Sequence, residues 1–374
     1  MKIALLLGLG LEGGGPSKHT EEFSAVYPAD TYYLADKKWQ RSHVHDLAAK
    51  PLYFKDKEKA AEKLSAYDVV IVFTVPHASH GEEITNNFIY VLQNTKAKKV
   101  FLQITHTKHF LKTPRLDEYV KEMDLTITYA KNHYYNWHKS ITNKPCISVD
   151  NGLVGIDFDR ASKKYRVDAS TQKEEIRWLG RGSSVKNGRL MIDFHDKFPE
   201  TTTILEGLEA GIYWKTFTEG FNVENYFRPR KNPPYGLEEA NKCYLYPHFV
   251  NDEAMKRMAY SMFGADLFRV KGCDYGNSME FCHLEIVSAG AIPIFHEDLG
   301  KVVLNSNGEP VVNDDNGTLW LSPSSYEKVA KQIRDLKNDL AMRKEYRRKS
   351  FAYWKSHSDS KVIYPKLMQA IKDN

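Results

Sequence analysis

Ile3-Ala4-Leu5-Leu6-Leu7-Gly8-Leu9-Gly10-Leu11-Glu12-Gly13-Gly14-Gly15 is the stretch on which the fold turns. Its apolar residues run without alternation, the pattern of a strand covered on both faces, and they lead straight into a cluster of glycines. A buried strand that empties into a glycine turn is how a doubly wound α/β domain begins. Working outward, similar runs recur at Thr31–Leu34, Val69–Phe73, Val100–Gln103, Thr126–Tyr129 and Cys146–Val149. Between them Lys59–Ala66, Glu82–Gln93 and Leu116–Met123 place apolar residues at helical spacing. The alternation predicts a parallel sheet wrapped by helices.

The second half repeats this architecture without repeating its sequence. Asp157–Glu174 loses apolar content and reads as a linker. Ile176–Leu179 predicts a strand entering Gly180-Arg181-Gly182-Ser183-Ser184, and Leu190, Met191, Phe194 and Phe198 continue at helical spacing. Asp252–Met262 and Glu280–Ala289 read as helices, Ala291–Phe295 as a strand, and Tyr326–Lys349 and Lys361–Ile371 as helices with Lys/Arg faces.

At 374 residues the chain is long for a single core, so two domains are expected. An apolar content of 42 % excludes a disordered chain, and a mean hydropathy of −0.53 excludes a membrane-embedded one. The 53 Lys+Arg against 48 Asp+Glu leave +5, which permits an anionic partner without naming it. Cys146, Cys243, Cys273 and Cys282 form no C-x-x-C pair, so reduced thiols are expected rather than a zinc site or a disulfide framework. Lys2 and the apolar run behind it resemble a short signal peptide, but Glu12-Gly13-Gly14-Gly15-Pro16 offers no cleavage site. No stretch approaches the roughly 20 apolar residues of a membrane span. A cytoplasmic protein without a membrane partner is expected.

Gly8-Leu9-Gly10-Leu11-Glu12-Gly13 followed by Asp36 matches the dinucleotide fingerprint, so an NAD-dependent oxidoreductase enters the comparison. The same loop suits any diphosphate or sugar approached by backbone N–H groups, or a plain backbone role. More informative are Arg181 and Lys186, two cations just after a strand, where a doubly wound sheet places its ligands. Glu280 and Glu285 lie five positions apart, about 140° around one continuous helix. A helix starting between them, with Glu285 in its first turn and Glu280 in the preceding loop, brings both to one ligand. Cations for a diphosphate, one carboxylate for ribose hydroxyls and one for sugar hydroxyls fit a nucleotide sugar. The competing reading makes all four residues solvated counter-charges.

Several blocks then carry a resemblance in register: Gly10-Leu11-Glu12-Gly13-Gly14-Gly15, Arg177-Trp178-Leu179-Gly180-Arg181, Asp193-Phe194-His195-Asp196-Lys197-Phe198, Glu206-Gly207-Leu208-Glu209 and the segment from Glu280 to Phe295. Together they resemble the DNA α-glucosyltransferases of T-even bacteriophages across most of the chain. The resemblance implies a GT-B fold of two Rossmann-like domains facing across a cleft. Residues 1–166 would form an acceptor-side domain and 167–354 a donor domain, with 355–374 a helix returning to the first. It implies transfer of a sugar from a UDP donor, UDP-glucose by default, to 5-hydroxymethylcytosine in duplex DNA, with retention, protecting phage DNA from nucleases in the host cytoplasm. Carried over by position, Arg181 and Lys186 bind the diphosphate, Glu285 the ribose and Glu280 the donor sugar, while Glu12, Gly13, Gly14 and Gly15 close on the donor. A monomer with no tightly bound cofactor and no metal site is implied.

One departure stands out. The family's acceptor loop has a His-Asp pair where this chain reads Gln103-Ile104-Thr105-His106-Thr107, so His106 is the remaining candidate to orient the acceptor. The change leaves room for another UDP-sugar such as arabinose, for another hydroxylated cytosine, or for a GT-B enzyme acting on a glycan or small molecule. Candidate DNA contacts are Lys108, His109 and Lys112 near His106, then Arg228 and Arg230, with Lys96, Lys98 and Lys99 as further basic positions.

Overall fold

The computed structural model describes residues 1–8, 15–36, 49–76, 81–104, 113–128, 133–149, 153–180, 186–206, 243–246, 251–268 and 279–374. They form two compact units, one from Met1–Gly155 with Ser360–Asn374, the other from Ile156–Gly272 and Met279–Asp359.

The first unit holds a seven-stranded sheet of order β3-β2-β1-β4-β5-β6-β7. Its strands are β1 (Ile3–Leu7), β2 (Ala29–Leu34), β3 (Ala49–Leu52), β4 (Val69–Thr74), β5 (Lys98–Gln103), β6 (Leu125–Thr128) and β7 (Cys146–Ser148). Every pairing is parallel. β1 and β4 are buried throughout, which is why their sequences show no alternation. Helix Ser360–Asp373 belongs to this unit, and Ile363, Tyr364, Leu367, Met368 and Ile371 pack with Ile3, Leu5, Leu7 and Phe23.

The strand order reverses between β1 and β4, and the chain is tightest there. The Gly8 N–H donates to the Thr74 carbonyl at 3.0 Å, and a Cβ at Gly8 would stand 2.4 Å from that oxygen. The first glycine is therefore demanded by packing. Gly8→Ala is expected to cost about 1–3 kcal/mol, read as a lower urea midpoint at unchanged slope. An unchanged midpoint would show that the two strands part without penalty.

His138, in helix His133–Ile141, is fully buried, and neither ring nitrogen has a hydrogen-bond partner among the described residues. Burial, with a smaller push from Lys139, lowers its pKa to about 4. The unfolded chain then takes the proton first as pH falls through the ordinary histidine value. This group's contribution to stability is complete above about pH 6.5 and declines down to about pH 4, at most about 1.4 kcal/mol per pH unit. Thermal melts at pH 7.5 and 5 should show the decline and His138→Phe should flatten it; equal slopes in the two proteins would refute it.

The second unit holds a six-stranded sheet of order β10-β9-β8-β11-β12-β13. Its strands are β8 (Lys173–Leu179), β9 (Thr202–Glu206), β10 (Cys243–Tyr246), β11 (Ser261–Asp266), β12 (Ile292–His296) and β13 (Leu319–Leu321), again all parallel. Trp178, Met191, Phe194, Met262, Phe263, Ile294 and Leu321 share its core.

Three sequence readings change. The supposed linker contains helix Phe158–Tyr165, whose N-cap Asp157 accepts from the Arg160 N–H at 2.9 Å and whose Phe158 is fully buried. Helix Asn251–Tyr260 ends where β11 begins, so Ser261 and Met262 are strand. The charged tail breaks at Asp339, which caps helix Leu340–Ser358 by accepting from the Met342 N–H at 2.9 Å. Among the described residues no helix is long and apolar enough to cross a membrane, and Cys146 and Cys282 are free thiols.

Candidate functional site

In the second unit the strand order reverses between β8 and β11, so the crevice that such sheets offer to ligands opens at the carboxyl ends of these two strands. β8 leads through Gly180 to Lys186, and β11 ends on Asp266. Met279 and Glu280 lead into helix Phe281–Ala289, with Glu280 as its N-cap. Asn187 takes the left-handed conformation (φ 49°, ψ 38°), which asparagine tolerates, and turns the chain from Lys186 into helix Gly188–Lys197.

The side chains converge on one ammonium group. Lys186 Nζ donates to Asp266 Oδ2 at 2.9 Å and also pairs with the Glu280 carboxylate, while lying 5.4 Å from the centre of the Phe268 ring. Asp266 is 0 % exposed, whereas the Glu280 side chain is 20 % exposed. His283 Nδ1 accepts from the Glu280 backbone N–H at 3.0 Å, which leaves Nε2, 3.8 Å from Asp266 Oδ2, to carry the proton of a neutral ring. The His283 ring is also held edge-on to Phe295 at 4.7 Å.

Burial pulls in opposite directions across this pair. It raises the Asp266 carboxyl despite Lys186. It also pulls the Lys186 ammonium down, but Asp266, Cys282 and Glu280 outweigh it and hold the lysine well above its ordinary value. The lysine's direction governs, because it faces two carboxylates at once and keeps some access to water. A cation fixed at a strand end, with one sealed and one reachable carboxylate, can take an incoming phosphate.

A family model described as DNA α-glucosyltransferase matches residues 18–341. The chain belongs to the DNA α-glucosyltransferase family. It is 25 % identical to the DNA α-glucosyltransferase of Enterobacteria phage T4, over 99 % of this chain and all of that one. A solved α-glucosyltransferase in complex with UDP superposes with a TM-score of 0.90 at 25 % identity, each chain covered completely. Another, bound to UDP-glucose and DNA containing an abasic site, gives 0.88 at 25 % identity, covering 100 % of this chain and 99 % of that one. Anabaena HepE in complex with UDP and glucose shares the fold alone, with a TM-score of 0.65 at 13 % identity and both chains covered. The fold is thus GT-B, two Rossmann-like domains each built on a parallel sheet.

Of the residues singled out in the sequence, Lys186, Glu280 and Glu285 lie in the second unit, near one another. Glu285 is the fifth residue of its helix, beginning the second turn rather than sitting in the first as expected. It remains 6 % exposed, and its charge raises the Asp266 carboxyl further. Gly15 opens helix Gly15–Val26, and among the described residues nothing stands within 4 Å of where its Cβ would be. Glu12, Gly13, Gly14, His106, Lys108, His109, Lys112, Arg181, Arg228 and Arg230 lie outside the described residues. Lys98 and Lys99 begin β5, at the end of the strand opposite its carboxyl edge. Lys98 donates to the Ile371 carbonyl at 2.7 Å and Lys99 pairs with Asp124 at 3.2 Å, so both charges serve the fold.

Sequence reasoning missed Asp266 and gave His283 no role. The available signal was a lone carboxylate closing the apolar run Met262-Phe263-Gly264-Ala265. Among the described residues no group of three or more His, Cys, Asp and Glu is placed to hold a metal ion.

Proposed function

We infer that the protein transfers glucose from UDP-glucose to the hydroxymethyl group of 5-hydroxymethylcytosine in duplex DNA, with retention at the anomeric carbon. The observation that carries this reading is the Lys186, Asp266 and Glu280 cluster at the reversal point of the second sheet, in a chain of this family. Lys186, with Arg181 five positions before it, neutralises the diphosphate as its bond to the sugar breaks. Glu280 receives sugar hydroxyls and Glu285 the ribose hydroxyls. The acceptor oxygen bonds to the anomeric carbon as the bond to the β-phosphate oxygen breaks, and that oxygen takes the hydroxyl proton. His106 orients the acceptor, with Lys108, His109, Lys112, Arg228 and Arg230 as contacts to the DNA. The reaction belongs in the cytoplasm of a phage-infected cell, where it shields phage DNA from nucleases.

The test is mass spectrometry of nucleosides from hydroxymethylated and unmodified DNA after incubation with a panel of UDP sugars. A hexose adduct on hydroxymethylcytosine with UDP-glucose supports the reading. A pentose adduct from UDP-arabinose alone would replace the donor, and no adduct with any donor would overturn the acceptor assignment. By calorimetry, Glu285→Ala should weaken UDP binding about tenfold or more, since a charge-assisted hydrogen bond is worth about 1.5–3 kcal/mol. Unchanged UDP affinity would remove Glu285 from the ribose site.

A further inference from the structure

We propose that Asp266 is a positioning residue for Lys186, holding the ammonium group at the end of β11 while Glu280 exchanges that ammonium for the donor sugar. The inference rests on reading the cluster as the donor site.

Two carboxylates share one Nζ, and they differ in kind. Asp266 closes a central strand, has no exposure to water and is backed by His283, whose ring is itself fixed by the Glu280 N–H and by Phe295. Glu280 stands at a helix N-terminus with part of its side chain open to solvent. An ammonium has three N–H donors, so two carboxylates can be engaged while one N–H still faces a phosphate. When the donor enters, its diphosphate supplies negative charge at Lys186 and its sugar hydroxyls supply donors to Glu280. The sealed partner stays and the reachable one turns over. Without Asp266 the lysine would answer to Glu280 alone, and that undivided pair would hold the ammonium more tightly against each incoming donor.

The experiment measures UDP and UDP-glucose affinity by calorimetry, and transfer kinetics on hydroxymethylated DNA, for the wild type, Asp266→Asn, Glu280→Gln and the double variant. Glu280→Gln should keep UDP affinity within about threefold, because Asp266 still holds Lys186, while kcat falls roughly 100-fold. Asp266→Asn should weaken UDP about tenfold, and adding Glu280→Gln should recover at least about threefold of that loss without recovering kcat. A carboxylate with only a structural role predicts a double variant no better than Asp266→Asn, and that result would overturn the proposal, as would unchanged kinetics in Asp266→Asn. Should Asp266→Asn fail to fold, the Glu280→Gln arm decides alone, since a loss of UDP affinity beyond about tenfold would place Lys186 under Glu280's control. A wild-type protein that binds no UDP would instead overturn the donor site itself.

Discussion

Lys186→Met is expected to lower transfer by about 10²–10³-fold and to destabilise the protein by about 3–5 kcal/mol. Both effects follow from one ammonium group. On the reaction side, the variant loses the cation that the proposed donor site offers to the departing diphosphate. On the folding side, it strands Asp266, which has no exposure and whose other charged neighbours among the described residues, Glu280 and Glu285, are also acidic. Burial already raises the Asp266 carboxyl, and without Lys186 it rises further. A carboxyl whose folded pKa lies above its unfolded value stabilises the protein below the unfolded pKa and loses that contribution as pH climbs through the folded one. The variant should therefore be relatively better off at pH 5 than at pH 8. Urea denaturation at the two pH values, with transfer measured where both proteins are folded, separates the effects. A pH-independent loss would mean that Asp266 finds another partner, and full activity would remove Lys186 from the donor site.

The parallel strands were legible because burial on both faces erases alternation: β1, β4 and β8 read from their apolar runs to within a few residues. Boundaries blurred where that signal is shared. Met258, Ala259, Met262 and Phe263 are all buried, so apolar residues flank the junction between the helix ending at Tyr260 and the strand starting at Ser261, and their pattern does not mark it. Helix Phe158–Tyr165 escaped because Phe158 is the one residue it buries, and a single anchor makes no period. In the candidate site, Lys186 and Glu280 could be found from their places beside a strand end and before a helix. Asp266 could not be found in the same way. Its meaning depends on Lys186, 80 positions earlier, and periodicity carries no information about which side chains meet across a sheet.

Trp178→Ala is expected to cost about 3–5 kcal/mol and to depress transfer beyond what lost stability explains. Trp178 is fully buried in β8 among Ile176, Met191, Phe263 and Ile294. Its ring also lies 3.0 Å from where a Cβ on Gly180 would stand, and its indole N–H donates to the Lys186 carbonyl at 3.3 Å. One side chain is thus both the centre of the core and the floor on which residues 180 and 186 rest. Alanine leaves a large cavity, and the backbone carrying Lys186 loses its support even where the unit stays folded. Trp178→Phe separates the two roles. It keeps a six-membered ring in the core but removes the N–H together with the rest of the indole, so a loss of about 1–3 kcal/mol is expected with transfer reduced mildly. Denaturation midpoints and transfer rates for the two variants, compared well below their melting temperatures, give the order. If Trp178→Phe proved as unstable as Trp178→Ala, the hydrogen bond rather than the ring would carry the stability. If Trp178→Ala kept full activity, Asp266 alone would suffice to place Lys186.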